Sequence, residues 1–320
     1  MARKAGAAKA PAGGMRKPKM NFSKSFPHLA FAGLAILCLI GGKAHHMSIR
    51  VLLVGAGVEA ILLIRQAFQK DERSRTSYGD ISAIIILSLA LWQLLSENLA
   101  IVDRMLFPPP ERIFALFIKE LPDMMKGLTR SMSLLVSGYM LALITAVPIG
   151  IYAGWKRRLR EALNPFAKVL GPIPPIVYIP YAIALLPSFR AASIFVIFVG
   201  AFWPLLINTL NGVLNIPSTL IDAARALNLK ERTILWRVIL PGAMPSICVG
   251  GSLALVFSFL LLAAAELIGA TSGLGWYVKN FSDFGDYERV IVGIIFMGIV
   301  VTAVTFITDR IERRLLRWRD

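Results

Sequence analysis

Eight apolar runs constrain this chain more than any other feature. They lie near residues 27–43, 49–67, 81–103, 131–154, 168–188, 191–213, 244–268 and 287–308. A helix needs roughly 20 apolar residues to cross the hydrocarbon of a bilayer, and several runs reach or approach that length. Composition agrees. Of 320 residues, 56% are hydrophobic and 17% are charged, where an average soluble domain carries about 25% charged residues. Mean hydropathy is +0.66. The pattern predicts an all-α, polytopic membrane protein.

The formal charge of +16 would suit nucleic acid, but its placement argues against that partner. Seven basic and no acidic residues lie between Arg3 and Lys24, a second group is Lys156, Arg157, Arg158 and Arg160, and a third spans Arg310–Arg319. Each abuts an apolar run, as expected of cytosolic flanks beside anionic membrane lipid. No small-residue cleavage motif follows the first run, so residues 1–26 are read as a retained cytosolic tail. With that tail inside, eight crossings return Lys70–Asp80, Trp155–Arg160, Ile221–Pro241 and Asp309–Asp320 to the same side. Both termini are then cytosolic, and basic residues between Asp103 and Arg130 are the imperfection in this path. Dropping one early span reverses the tail, whereas dropping both leaves the last six unchanged.

The first two runs are read as an accessory hairpin, with a short or re-entrant pair as the alternative. The first is short and glycine-containing, and the second carries Glu59. Glu59 is read as packed against a polar partner or lying near an interface, with a relay group as the alternative. Pro108, Pro109 and Pro110 end the third run. Charged and apolar groups alternate from Glu111 to about Lys126 at near-helical spacing, predicting a helix on the outer surface. Gly138, Ala142, Ala146 and Gly150 recur every four residues, a small-residue face suited to close helix contact. Cys38 and Cys248 fall in apolar runs without metal or disulfide spacing, and the His45–His46 pair has no further ligands beside it.

Gly171–Pro187 contains five prolines. An unbroken helix is not expected there. A broken helix lining a passage would satisfy the freed backbone groups, as would a kink buried in the bundle. The candidate path or gate residues are Pro174, Pro175, Tyr178, Asn208, Asn211 and Glu266. Asn208 and Asn211 are three apart and can share a face, toward a passage or toward structural hydrogen bonds. Glu266, in "AAAELIGATSGLGW", either serves the path or fixes the turn at Gly269, Gly273 and Gly275.

"IDAARALNLKERTILWRVILP", Ile221–Pro241, is a polar, regular interruption between two runs. Thr219 is placed to cap a helix starting near Leu220, with Asp222 three residues later as its capping-box partner. Pro241 and Pro245 punctuate the return to the membrane. Such a helix either docks into a soluble partner or rests on lipid.

This stretch resembles the EAA loop of permease subunits in bacterial ATP-binding-cassette (ABC) importers. Asp222, Ala223 and Ala224 match the opening, with Asp for Glu, and Asn228 stands at the family's glycine position. Val238, Leu240 and Pro241 match the ending. Asn tolerates a left-handed turn, less freely than Gly. "SLLVSGYMLALITAVPIGIYAG", "NPFAKVLGPIPPIVYIPYAI", "WPLLINTLNGVLNIPSTLIDAARAL" and "AAAELIGATSGLGWYV" look like successive segments of the nitrate, sulfonate, taurine and bicarbonate importer branch. The resemblance covers roughly residues 92–315, and departs from the family at Leu185–Arg190, where a glycine is often found.

The resemblance implies a type I ABC importer permease-like core of six helices over 81–309, with the extra hairpin and linker over 27–80 and a basic cytosolic tail over 310–320. It implies a multi-pass protein of the bacterial inner membrane. Its partners would be two ATP-binding-cassette subunits, a second permease copy or homologue, and an extracytoplasmic solute-binding protein. Asp222, Ala223, Ala224, Arg225, Asn228, Leu240 and Pro241 would couple it to the ATPase. No Gly-rich stretch ends in Gly-Lys-Ser/Thr, so this chain is expected to bind no cofactor and to leave ATP and Mg to the partner. A secondary transporter or channel without an ATPase is the alternative. A membrane enzyme lacks an evident catalytic set.

Overall fold

The computed structural model describes residues 22–40, 48–68, 72–99, 101–171 and 173–317. Among these, all regular structure is helical. Contacts divide the chain into two units, Met1–Glu111 and Arg112–Asp320.

The first unit holds α1 (Phe22–Ile40), α2 (Ile49–Phe68) and α3 (Glu72–Gln93), the last extended by a π turn at Leu94–Asn98. Buried apolar side chains such as Leu34, Leu62 and Ile86 form its interior. Polar bonds pin it: Gln93 Nε2 donates to Ser48 Oγ at 2.9 Å and Asn98 Nδ2 to the Leu37 carbonyl at 3.2 Å. Glu59 is buried and pairs with His28 Nδ1, the packed arrangement expected for it. Glu111 accepts from the N–H groups of Arg50 and Val51, capping the orphan donors at the start of α2. The Lys70–Asp80 linker is helical from Glu72 and runs on into the third apolar run. His45 and His46 lie outside the described residues.

The second unit is built on α4 (Pro110–Trp155), α7 (Phe189–Leu214), α10 (Leu240–Gly269) and α12 (Tyr287–Leu315). The expected surface helix at 111–126 is the first part of α4, a single helix of 46 residues. The small-residue face does what its spacing predicts. A Cβ on Gly138 would meet Ile197 Cγ2 at 2.6 Å, and one on Gly150 would meet Thr209 Cβ at 2.8 Å. Ala142 and Ala146 are fully buried beside them, so α4 and α7 approach closely along this seam. Gly212 and Gly250 make similar close approaches between α7 and α10.

Five helices among the described residues are long and apolar enough to span: Tyr78–Asn98, Pro110–Trp155, Phe189–Leu214, Glu231–Gly269 and Tyr287–Leu315. Three of the eight expected crossings therefore differ. The first run forms a shorter apolar helix, Phe26–Ile40. The second is interrupted by Arg50, Glu59 and Arg65 within α2. The run at 168–188 divides into the end of α5 (Arg157–Leu170), a 3-10 turn at Pro175–Val177 and α6 (Tyr178–Leu185). Pro174 and Pro175 withhold two N–H donors where a continuous helix would need them. The apolar helix Pro175–Leu185 rises only about 17 Å, about half the hydrocarbon thickness.

Candidate functional site

Between α7 and α10 the chain forms α8 (Ser218–Ala226), a turn, and α9 (Glu231–Ile234). The helix starts earlier than the capping pattern predicts. Pro217 occupies the N-cap, the Leu220 N–H reaches its carbonyl at 3.1 Å, and no side chain caps the end. Thr219 is therefore inside the first turn and Asp222 does not close a capping box. Proline fixes φ in the helical range and suits a helix start. The Asp222 carboxylate lies 3.9 Å from the Arg225 guanidinium, an exposed pair.

Asn228 ends α8 in the left-handed conformation, with φ 51°, the one positive-φ non-glycine residue among those described. The Leu229 N–H bonds to the Ala224 carbonyl at 3.2 Å and the Asn228 N–H to the Arg225 carbonyl at 2.9 Å. These are the two crossed bonds of a Schellman motif. The family's glycine position thus has a backbone reason, and Asn fulfils it at a modest steric cost.

The loop is seated on the ends of three spanning helices. Ala224, Ile234 and Ile239 are buried with Ile151 of α4, Val213 of α7 and Ala243 of α10. The Arg225 guanidinium stacks over the Trp155 ring at 5.6 Å, and Lys156 Nζ pairs with Glu231 at 3.0 Å. The two alanines of the motif separate: Ala224 faces this core, whereas Ala223 is exposed. Beyond them Leu220 is 54% and Leu227 74% exposed.

Pro241 and Pro245 do not interrupt the chain as expected. Helix runs from Glu231 to Gly269, through a π turn at Leu235–Ile239. Leu240 bonds back to the Leu235 carbonyl across this widened turn. Pro241 has no N–H for the Arg237 carbonyl, and the π turn just before it adjusts the ladder there. Leu240 and Pro241 are half-buried.

At the far end of α10 lies a second constellation. Glu266 is 1% exposed. Its Oε1 accepts from Ser131 Oγ at 2.6 Å and its Oε2 from the Gly275 N–H at 2.7 Å. Ser131 Oγ in turn accepts from the Leu274 N–H at 2.9 Å. Glu266 therefore anchors the start of α11 (Leu274–Asp283), a favourable place for a carboxylate. Gly273, at φ 131°, sits against it, and a Cβ there would meet Glu266 Oε1 at 2.3 Å. Of the two sequence readings of Glu266, this is the turn-fixing one. Nearby, Glu120 of α4 accepts from Arg289 Nε at 3.0 Å and from the Tyr277 hydroxyl at 3.1 Å. Burial first, then the Glu120 charge, pushes the Tyr277 phenol above its ordinary range. A cavity of about 330 Å³ opens here, lined by Asp123, Lys126, Arg130, Trp276 and Asn280 among others. Glu120 and Trp155 are about 53 Å apart along α4, more than a bilayer's hydrocarbon depth. The loop at 217–241 and the α11 constellation thus lie at opposite ends of the spanning helices.

The other candidate path residues do not converge on one point. Pro174 is exposed, while Pro175 packs toward Gly200 of α7. Tyr178 is half-buried at the start of α6, whose Ile179 and Ala182 are buried against α7 and α10. Asn208 donates to the Pro204 carbonyl at 2.8 Å, and its Cβ lies over Gly250 of α10. Asn211 is exposed. Sequence reasoning missed Ser131, 135 residues from its partner Glu266. It also missed Trp155 and Lys156 as the seat of the loop, and Glu312, which accepts from Ser252 of α10. No local pattern marks any of these pairs.

The family described as binding-protein-dependent transport system inner membrane component matches residues 146–317, more than half of the chain and including the whole loop. The chain belongs to this family. The Brucella abortus (strain 2308) protein named "Probable ABC transporter permease protein" is 33% identical over 233 residues, 72% of this chain and 91% of that one. The taurine transport system permease protein TauC of Escherichia coli (strain K12) is 27% identical over 77% of this chain and 91% of its own length. The nitrate import permease protein NrtB of Leptolyngbya laminosa is 34% identical over 56% of this chain and 64% of its own. A solved structure of the MetNI methionine ABC transporter in inward-facing conformations superposes with a TM-score of 0.55 at 21% identity, covering 62% of this chain and 98% of that one. It shows the fold, that of a type I importer permease core. The permease is a multi-pass membrane subunit of an ABC importer, of a family whose transport depends on a binding protein. That membership replaces the alternative of a secondary transporter or channel.

Proposed function

We propose that the permease couples to two ATP-binding subunits through α8 and the turn at Asn228, and that those subunits bind ATP and Mg and hydrolyse the nucleotide. The observation that carries this reading is the construction of the loop. One face, through Ala224, is locked onto the ends of α4, α7 and α10, while Ala223, Leu220 and Leu227 remain exposed on the other. A rigid element joined to three spanning helices, with an uncovered apolar and charged face, is suited to receive a push from a soluble partner. Asp222 and Arg225 supply charge on that face, and Leu240 and Pro241 lie where the loop becomes the spanning helix.

On this reading both termini and the loop are cytosolic, and the α11 constellation faces the side from which a binding protein delivers solute. Two permeases, identical or homologous, enclose the passage. The proline break at Pro174–Pro175, Tyr178 and the exposed Asn211 belong to its wall, while Asn208 and Glu266 hold the bundle. The solute is a small anion or zwitterion of the nitrate, sulfonate, taurine or bicarbonate kind, by similarity to the relatives named for such solutes.

The test is purification of the complex from its host membrane in mild detergent, with identification of every tight partner. The parent is expected to bring an ATP-binding subunit. The Asp222→Lys/Asn228→Trp variant is expected to lose it while eluting as the same folded bundle. A folded parent that brings no ATPase under several mild conditions overturns the coupling assignment.

A further inference from the structure

Helix α5 has no part in the passage or the loop as described above. It begins two residues after α4 ends at Trp155, beside the loop, and it stops just before the apolar helix Pro175–Leu185. Its sequence, "RRLREALNPFAKVL", is divided sharply around the helix axis. At 100° per residue, Leu159, Ala162, Leu163, Phe166, Val169 and Leu170 fall on one face. Arg157, Arg160 and Glu161 fall on the opposite one, and Arg158 lies at the border. The apolar face is not turned into the bundle: Phe166 is 61% and Val169 67% exposed. The charged face is exposed as well, with Arg157 bonded to Glu161 at 2.7 Å. With 14 residues, α5 is about 21 Å long, too short and too charged to span.

We propose that α5 is an in-plane interfacial helix, its apolar face in the acyl boundary of the leaflet beside the coupling loop and its basic face on anionic lipid headgroups. Three observations select a lipid surface over a soluble partner. Both ends of α5 are tied to segments that enter the membrane, which holds the helix at that level. The polar face carries an excess of Arg over acid, the complement of an anionic headgroup layer. Aromatic and branched apolar side chains opposite Arg is the composition of helices that lie in an interface. The leaflet's being cytosolic rests on the proposed orientation of the permease, but the depth of α5 does not. A failure of the motor pull-down would therefore leave this inference standing, and the reverse also holds.

The test uses the full chain in lipid nanodiscs containing phosphatidylglycerol, with Cys38 and Cys248 replaced by alanine. Nitroxide labels are placed singly at Ala162, Phe166 and Val169, and at Arg157 and Glu161. Relaxation by oxygen reports hydrocarbon, and relaxation by a nickel chelate reports water. The first three sites are expected to show an oxygen-to-nickel ratio at least about three-fold above the other two. Equal ratios at all five sites, or protection of the first three from both reagents, would overturn the proposal. The former means a wet helix, and the latter a protein cover such as the ATPase or a second copy. Replacing phosphatidylglycerol by phosphatidylcholine is expected to lower the ratio at Phe166. The Arg157→Gln/Arg158→Gln/Arg160→Gln variant should abolish that dependence without changing the melting temperature. A ratio indifferent to lipid charge in the parent overturns the headgroup assignment.

Discussion

Helix α10 joins the rest of the permease differently at its two ends. Toward residue 240 it continues from an exposed loop, through a widened π turn, with Asn228 left-handed and Leu227 uncovered. Toward residue 269 it stops at a buried carboxylate that holds Ser131, Gly275 and, through Ser131, Leu274. The first junction rests on apolar packing, and its charge pairs are exposed, so each contributes little by itself. The second rests on buried hydrogen bonds to an acidic side chain, which lose much when one partner is removed. The difference teaches which junction leaves an uncovered surface and which is built to stay closed.

Substitutions at four positions test that contrast. Gly273→Val forces an L side chain into φ 131° and places its Cβ 2.3 Å from Glu266 Oε1. It should cost about 3 kcal/mol or more, read as a large drop in melting temperature in detergent. Glu266→Ala leaves the Ser131 hydroxyl and the Gly275 N–H without their acceptor and should cost about 2–3 kcal/mol; Glu266→Gln, which keeps one acceptor, should cost less. If Glu266→Ala melts like the parent, the clamp is not structural. On the loop side, Asn228→Val should cost about 1 kcal/mol, because a β-branched residue resists the left-handed turn, and Asn228→Gly should be neutral or slightly stabilising. Asp222→Lys breaks only an exposed pair and should change stability by less than about 0.5 kcal/mol, while weakening capture of the ATP-binding subunit. A marked melting shift for Asp222→Lys would mean that the loop is part of the stabilising core and not a surface for a partner.

How much of this was legible beforehand differs between the two ends as well. The loop could be read because its information is local. Asp222-Ala223-Ala224, the residue at 228 and the Leu240-Pro241 pair lie within one short stretch, and the turn at Asn228 follows from local sterics. The helix begins two residues before the capping pattern at Thr219, at Pro217, whose ring fixes φ without any side-chain cap. Pro241 does not break the chain, because a π turn lets a proline sit inside a continuous helix.

Hydrophobic period and small-residue spacing alone specified an α-helical membrane bundle and the close-contact face of α4, since both are repeats of a single helix, while the choice of α7 as its partner came from the tertiary structure. Residue types alone left Glu266 with two roles and α6 with two environments. Folding chose between the roles by bringing Ser131 and the α11 N-terminus to the carboxylate, from 135 and 9 residues away. Folding likewise set α5 beside the loop through Trp155 and Lys156. A buried charge's role depends on which donors surround it, and that is a property of packing between distant segments, not of the chain around it.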